Sequence, residues 1–306
     1  MGTPKQVQTQ LPPGASLVGA HFSIEGGLDQ ACKRAAALKA TAMQIFCRNH
    51  RRWELPWTTD EESGAFRAAA SSNRIGFVAI HASYLVNIAT ADPTNCRRSI
   101  EKLSAELEIG RRIGADAYIV HPGSHLLCGS AEGIERVAKA CLRVFEAVAE
   151  GPRLLLETTS GGGSMLGSSF EELAAILEKI ARPDRTGVCL DTCHIFSAGY
   201  DLRNEKVYER TMSKLDKIIG AERVGMIHAN DSLYELGSRR DRHWHIGKGK
   251  IGPRGFRLLM RDARFARLAK IIETPLAFEG ARMDDANLRA IKNYARSEKN
   301  RKERQN

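Results

Sequence analysis

Hydrophobic residues along the chain fall into two alternating patterns: short apolar runs, and longer segments whose apolar residues recur every three or four positions. Residues 18–24 form such a run, and residues 27–39 follow with helical spacing. A short apolar run is typical of a buried strand, and the spaced pattern is typical of an amphipathic helix. This part of the chain therefore predicts one strand followed by one helix.

The same strand and helix unit then repeats along the chain. The predicted strands are residues 18–24, 43–47, 77–83, 117–123, 154–158, 188–191, 224–229 and 270–274, and the predicted helices are residues 27–39, 58–73, 95–113, 131–150, 170–180, 205–219, 256–261 and 284–295. Eight such units within the length of one domain predict an α/β fold, a closed (β/α)8 TIM barrel. We expect one catalytic domain over residues 17–295, with a flexible leader at residues 1–16 and a basic disordered tail at residues 296–306.

Composition narrows the class of protein. Hydrophobic residues make up 42% of the 306 residues and charged residues 27%, which is typical of a folded globular protein and excludes disorder over most of the chain. No apolar run reaches the length of a membrane-spanning helix, so we expect no membrane partner. Seven cysteines without a paired pattern indicate a reducing, cytoplasmic location. Nothing in the sequence indicates an obligate protein partner.

The chain is basic, with a formal net charge of +10. The tail from Arg296 holds five basic and two acidic residues, a net charge of +3, so most of the excess lies elsewhere. A basic body favours a polyanionic partner such as nucleic acid, and the tail would attract DNA only weakly and without specificity. Charge supports a nucleic-acid partner without identifying one.

The histidines indicate where the chemistry lies. All nine fall at the ends of predicted strands or in the loops that follow them, and none falls inside a predicted helix: His21, His50, His81, His121, His125, His194, His228, His243 and His245. In a barrel of this kind, the C-terminal ends of the strands and the following loops build the active site. The sequence therefore predicts a site at that face.

Carboxylates end three of the predicted strands, Glu157 in LLLET, Asp191 in VCLDT and Glu273 in IIET. An acid in nearly continuous apolar sequence is costly to bury without a partner, and a metal cation is a suitable one. Asp191 would end its strand, and His194 would lie in the first turn of the following loop. The alternative for this pair is an aspartate that caps the next helix and a histidine that packs beside it.

Nine candidate metal ligands follow from these positions: His81, His121, Glu157, Asp191, His194, His228, Asp241, His243 and Glu273. Five imidazoles and four carboxylates exceed the three or four protein ligands of one catalytic zinc. Two or three ions that share a bridging carboxylate are therefore expected. Asp241 and His243 are two positions apart, which places both on one side of an extended segment.

Seven stretches resemble a known family. They are GAHFS from Gly19, IHASYLVNI from Ile80, HPGSH from His121, GVCLDTCHIFSAGYDL from Gly187, HAND from His228, GSRRDRHWHIGKGKIG from Gly237 and IIETP from Ile271. Together they resemble the endonuclease IV family of apurinic/apyrimidinic (AP) endonucleases over about residues 17–275. The resemblance implies three Zn²⁺ ions. Zinc and manganese can share such ligands, so Mn²⁺ is an alternative at one or more sites.

The family pattern distributes the nine residues over three zinc ions. It implies His81 and His121 on one, Asp191, His228 and Glu273 on a second with Glu157 bridging the two, and His194, Asp241 and His243 on the third. Glu157, Asp191 and Glu273 are the implied catalytic carboxylates.

Two further residues match family positions that enter the DNA around a flipped nucleotide, Arg51 in FCRNHRRW and Tyr84 in HASYL. Without the resemblance, a solvated loop charge and a core ring would be the preferred interpretations. Thr158 departs from an Asn that is frequent in the family, and Lys248 stands where an acid can occur. These departures bear on substrate preference.

The implied activity is base-excision repair of duplex DNA that contains abasic sites. The enzyme would hydrolyse the phosphodiester 5′ to the abasic nucleotide, leaving a 3′-hydroxyl and a 5′-deoxyribose phosphate, and would also remove blocked 3′ ends. A sugar isomerase or epimerase on a related metal barrel is the alternative, although it would use fewer ligands. A non-catalytic DNA-binding barrel would not need the ligand set.

Overall fold

A computed structural model describes residues 16–49, 51–278 and 280–295. In chain order the strands are β1 Val18–His21, β2 Ala42–Ile45, β3 Phe77–His81, β4 Ala117–Val120, β5 Arg153–Glu157, β6 Thr186–Asp191, β7 Val224–His228, β8 Asp231–Ser232, β9 His243–Trp244, β10 Ala269–Ile272, β11 Ala277–Phe278 and β12 Ala281–Arg282. Strands β1 to β7 and β10 are parallel and close into one barrel, in which β1 pairs with both β2 and β10. The predicted (β/α)8 barrel is confirmed.

Helices connect the barrel strands and cover the outside of the barrel. They are α1 Leu28–Ala37, α2 Asp60–Ser72, α3 Pro93–Ile113, α4 Ser130–Ala147, α5 Phe170–Ile180, α6 Thr192–Ala198, α7 Glu205–Ile218, α8 Gly252–Arg261 and α9 Asp284–Ala295. Two of them, α3 and α8, begin two or more residues earlier than predicted, and each carries a proline in its first turn. Proline fits there because the first amide groups of a helix have no partner within the helix.

One helix was not predicted, and it corrects the placement of His194. We expected His194 in a loop and no histidine inside a helix, but His194 lies in the first turn of α6. The Oδ1 atom of Asp191 accepts a hydrogen bond from the backbone N–H of His194 at 2.8 Å and caps this helix. A helix of seven residues is too short to show a clear hydrophobic period.

The hydrophobic core has two layers. Inside the barrel, small and medium side chains fill the space between the strands: Ala42, Ala79, Ala117, Ile119, Leu155, Cys189, Met226, Ala269 and Ile271. A larger layer lies between the outer surface of the strands and the apolar faces of the helices. The middle of the barrel is therefore closely packed, and the side chains at the strand ends lie on top of this packed layer.

Two predictions on the termini fall outside the part of the chain that the structure describes. The tail at residues 296–306 lies wholly outside it, and the leader at residues 1–16 does so apart from Ser16. The limits of the catalytic domain also remain predictions. Among the described helices, none combines the length and the hydrophobicity needed to cross a bilayer.

Candidate metal centre

The parallel strands place most of the candidate ligands at one face of the barrel. Four of these ligands are the last residues of β3, β5, β6 and β7, namely His81, Glu157, Asp191 and His228. His121 and Glu273 directly follow β4 and β10. Because all eight barrel strands run in the same direction, these six side chains meet at the C-terminal end of the barrel.

The remaining three candidates come from connections on the same face. His194 lies in α6, and Asp241 and His243 lie in the segment between β7 and α8. The short pairing of β8 with β9 holds this segment close to the barrel, since Ser232 is the register partner of His243. The structure thus brings all nine predicted residues into one cluster, whereas their role as ligands remains a prediction.

Glu157 lies at the centre of the cluster and is fully buried. Its Oε2 atom lies 3.1 Å from Nε2 of His81 and 3.0 Å from Nε2 of His121. Its Oε1 atom lies 2.8 Å from Nδ1 of His228. The two oxygens therefore face different histidines, which is the arrangement of a bridging carboxylate.

The charge state of Glu157 follows from these neighbours. Burial alone would raise the pKa of Glu157, but the imidazoles of His228 and His121 outweigh burial and hold that pKa well below its usual range. The carboxylate is therefore ionised, and it contributes a negative charge inside the barrel.

A second group surrounds His228. Its Nδ1 atom lies 3.4 Å from Oε2 of Glu273 and 3.9 Å from Oδ2 of Asp191. One ligand atom from each of Glu157, Asp191, His228 and Glu273 lies within 4.8 Å of the other three. Three carboxylates and one imidazole at this spacing can hold a single divalent cation.

A third group lies on the more open side of the cluster. The Oδ1 atom of Asp241, whose side chain is 44% exposed, lies 3.1 Å from Nε2 of His194 and 3.4 Å from Nε2 of His243. Cys193 also comes close to His243. Burial raises the pKa of the Cys193 thiol to about 12, so this thiol is protonated without a metal ion beside it.

Backbone carbonyl groups fix the orientation of three imidazoles. The Nδ1 atoms of His81, His194 and His243 donate hydrogen bonds to the carbonyl oxygens of Ala82 at 2.9 Å, Thr158 at 2.7 Å and Glu273 at 3.2 Å. The Nδ1 atoms are thus protonated, and a neutral ring in this orientation presents the lone pair of Nε2 to the cluster. This is how ligating histidines are commonly oriented in metal sites.

The donor set fits divalent metal ions. The Nε2 atoms of His194 and His243 are buried and form no hydrogen bond with any described residue. A lone pair that points at a carboxylate oxygen is repelled unless a cation lies between them. Imidazole nitrogen and carboxylate oxygen are typical ligands of Zn²⁺, and Mn²⁺ accepts the same atoms.

Sequence reasoning missed two amides that hold the ligands in place. The Gln44 side chain accepts a hydrogen bond from Nε2 of His228 at 2.7 Å and donates one to Glu273 at 2.6 Å. The Asn230 side chain donates to Oδ2 of Asp191 at 2.7 Å and accepts from the backbone N–H of Glu273 at 2.7 Å. The sequence contains a signal for each residue, because Gln44 interrupts an apolar strand and Asn230 lies in the HAND motif.

The two departures from the family pattern have different surroundings. Thr158 is buried, and its hydroxyl accepts a hydrogen bond from the backbone N–H of Asp191 at 2.9 Å. Thr158 therefore aligns the end of β6 beside the cluster. Lys248 is exposed in the turn between two glycines whose backbone N–H groups both donate to the Asp231 side chain.

The two residues predicted to probe DNA lie in neighbouring loops on the same face. Arg51 is exposed in the loop after β2. Tyr84 follows β3, and its ring is 69% exposed and packs edge-on against Phe46 at 5.3 Å. The interpretation of Tyr84 as a core ring is therefore excluded. Tyr84 lines a cavity of about 260 Å³ together with His81 and His121.

Replacing Gln44 with Leu should weaken metal binding, because the amide orients both His228 and Glu273. The expected loss is about 10- to 100-fold in Zn²⁺ affinity, measured by competition with a fluorescent chelator. Gln30→Leu is the control, since the Gln30 side chain in α1 donates to Asp29 at 2.7 Å and is remote in sequence from the nine clustered residues. Equal affinities in the two variants would contradict an orienting role for Gln44.

Comparison with known proteins agrees with this geometry. A family model described as a xylose isomerase-like TIM barrel matches residues 32–294. The chain is 42% identical over 293 residues to a probable endonuclease 4 from Oleidesulfovibrio alaskensis, covering 94% of this chain and 98% of the relative. It is 45% identical over 276 residues to a probable endonuclease 4 from Chloroflexus aggregans, covering 89% and 96%.

A solved structure extends the agreement to three dimensions. The crystal structure of endonuclease IV from Thermus thermophilus superimposes with a TM-score of 0.80 at 37% sequence identity, covering 90% of this chain and 98% of that one. The similarity therefore extends over nearly the full length of these relatives. The chain therefore belongs to the endonuclease IV family, within the xylose isomerase-like TIM barrels.

Proposed function

We propose that this protein is a metal-dependent AP endonuclease that acts in base-excision repair. The relatives are named as endonucleases, so hydrolysis of phosphodiester bonds in DNA is the general activity. The specific reaction proposed is cleavage 5′ to an abasic site in duplex DNA, leaving a 3′-hydroxyl and a 5′-deoxyribose phosphate. Removal of blocked 3′ ends would use the same residues. The observation that carries the proposal is the sharing of Glu157 between two groups of ligands.

Three Zn²⁺ ions are the proposed cofactors, with Mn²⁺ as an alternative. His81 and His121 would hold one ion, Asp191, His228 and Glu273 a second with Glu157 shared between the two, and His194, Asp241 and His243 a third. When bound, such ions activate water at neutral pH and neutralise the charge that develops on the phosphate and the leaving oxygen.

The protein residues themselves provide charge and rigidity. A phosphate group is an anion, and four carboxylates would repel it unless they were first neutralised. Because Glu157 is buried and ionised, it favours cations over an empty cluster. Gln44 and Asn230 hold the carboxylates of Glu273 and Asp191 in fixed positions. The site is thus organised before the substrate arrives, which is the condition for electrostatic catalysis.

The surface around the cluster suits distorted DNA. The large apolar side chains that are exposed among the described residues all lie in loops that follow barrel strands: Leu55, Trp57, Tyr84, Leu126, Leu127 and Leu276. Exposed apolar groups gathered at one face mark an interaction surface, and apolar wedges can enter an unstacked step of DNA. An abasic nucleotide is easy to extrude because it gives up little stacking.

The alternative functions explain fewer features of the site. A sugar isomerase or epimerase would need one or two ions. The group of His194, Asp241 and His243 would then have no ion to bind. A neutral sugar also gives no reason for the net charge of +10. A non-catalytic DNA-binding barrel would leave the whole buried cluster unexplained. The AP endonuclease is therefore the function that the site supports best.

Replacing Glu157 with Gln should abolish cleavage while leaving the fold intact. A neutral amide has only one oxygen and cannot serve two ligand groups, so we expect the cleavage rate to fall by at least about a thousandfold. The measurement is single-turnover cleavage of a duplex with one abasic site, with metal content and circular dichroism recorded in parallel. Near-normal cleavage with unchanged metal content would remove Glu157 from the mechanism.

Replacing Arg51 or Tyr84 with Ala should reduce the preference for abasic over intact duplex. A residue that enters the distorted site contributes only there, whereas a residue that neutralises a phosphate changes the salt slope by about one unit on every duplex. Arg52→Ala is the control, because Arg52 is exposed in the same loop with Glu54 3.8 Å away. Equal losses on both duplexes would show that Arg51 and Tyr84 only add surface charge and area.

A further inference from the structure

A buried lysine in α3 holds the loop that carries Arg51. Only 1% of Lys102 is exposed, and its Nζ atom donates hydrogen bonds to the carbonyl oxygens of Glu54 at 2.6 Å and Arg52 at 3.2 Å. Both carbonyls belong to residues 46–59, which connect β2 to α2 and are called the Arg51 loop below. An ammonium group is costly to bury, so a lysine kept in this position needs the bonds that it forms there.

A buried glutamate one turn further along α3 binds the backbone of the loop that carries Tyr84. The Oε2 atom of Glu106 accepts hydrogen bonds from the Tyr118 hydroxyl at 2.6 Å and from the backbone N–H of Ser83 at 3.3 Å. Its Oε1 atom lies 3.8 Å from Nζ of Lys102. Ser83 directly precedes Tyr84, so one ion pair inside the protein connects the Arg51 loop with the backbone beside Tyr84.

Other contacts also support the Arg51 loop. At its base, the Arg48 guanidinium donates to the carbonyl oxygen of Trp57 at 2.7 Å and 3.0 Å, which closes the ends of the loop. Nearer the tip, the Arg98 guanidinium packs over the Trp53 ring at 4.5 Å. No strand or helix is formed by the described residues of this loop. Lys102 therefore contributes the hydrogen bonds that α3 makes to the middle of the loop.

We propose that Lys102 and Glu106 are positioning residues that fix the Arg51 loop and Tyr84 relative to each other and thereby set the selectivity for abasic DNA. The inference rests on the proposed function, because it takes Arg51 and Tyr84 as the residues that probe the duplex. Two side chains that enter one distorted site must keep a constant separation. A loop that has to be ordered during binding loses affinity, and a preorganised loop does not.

The test compares two buried lysines. Lys102→Met removes the ammonium group but keeps an unbranched apolar chain. Lys270→Met is the matched control, since Lys270 is 3% exposed and its ammonium group donates to the carbonyl oxygen of Phe265, in the connection that enters β10 at its N-terminal end. Both variants should lose stability by similar amounts, which separates a general loss of stability from an effect on the Arg51 loop.

Two measurements report on the Arg51 loop and on selectivity. Hydrogen–deuterium exchange of peptides that cover residues 51–58 should become faster in Lys102→Met and stay unchanged in Lys270→Met. The ratio of affinities for abasic and intact duplex should fall by about tenfold in Lys102→Met alone, the loss expected for hydrogen bonds to a charged group. The cleavage rate at saturating enzyme should fall less than this ratio, and metal content should not change.

A double variant covers the case in which Lys102→Met does not fold. Lys102→Met combined with Glu106→Gln leaves no buried carboxylate without its counter-charge, and it should show the same faster exchange and the same loss of selectivity.

The outcomes separate this proposal from the proposed function. Unchanged exchange in the Arg51 loop, or equal effects of the two lysine variants, would overturn the positioning role. Faster exchange with unchanged selectivity would also overturn it, while hydrolysis of abasic DNA would stand. A wild-type enzyme that binds abasic and intact duplex equally would instead contradict the proposed function.

Discussion

The structure depends on one buried carboxylate, Glu157, which is ionised in the interior of a barrel and surrounded by imidazoles. A buried anion of this kind is unfavourable unless positive charge lies beside it. The Nδ1 atoms of His81 and His194 donate to backbone carbonyls, so the Nε2 atoms face carboxylates of the cluster. The groups of histidines and carboxylates around Glu157 could hold such cations. This constraint supports our proposal that the cluster binds more than one metal ion.

The barrel supplies the rigidity that such a cluster requires. Its interior is filled by small and medium apolar side chains, and most of the clustered residues lie at the ends of strands that pair on both sides. Hydrogen bonds from further side chains then fix the orientation of the clustered residues. Asp191 serves two purposes at once, since one oxygen caps α6 and the other accepts a hydrogen bond from Asn230 and faces the cluster. The two interpretations of this residue, cap and ligand, are therefore compatible.

The sequence predicted the barrel well because strands and helices with distinct hydrophobic periods repeat eight times. It predicted the nine clustered residues because acids and histidines at the ends of apolar strands are unusual. It did not predict α6, which is too short to show a period, nor the role of Gln44, whose two partners come from strands remote in sequence. The exposure of Tyr84 and the support of the Arg51 loop by Lys102 depend on loop geometry, which local patterns do not encode.

Anomalous diffraction at the zinc absorption edge tests the central claim most directly. Crystals of the full chain grown with Zn²⁺ would show how many ions bind and which side chains surround each one. We expect three peaks, one within each ligand group, with Glu157 between two of them. A single peak, with His194 and His243 paired directly to Asp241 and no ion between them, would contradict the account.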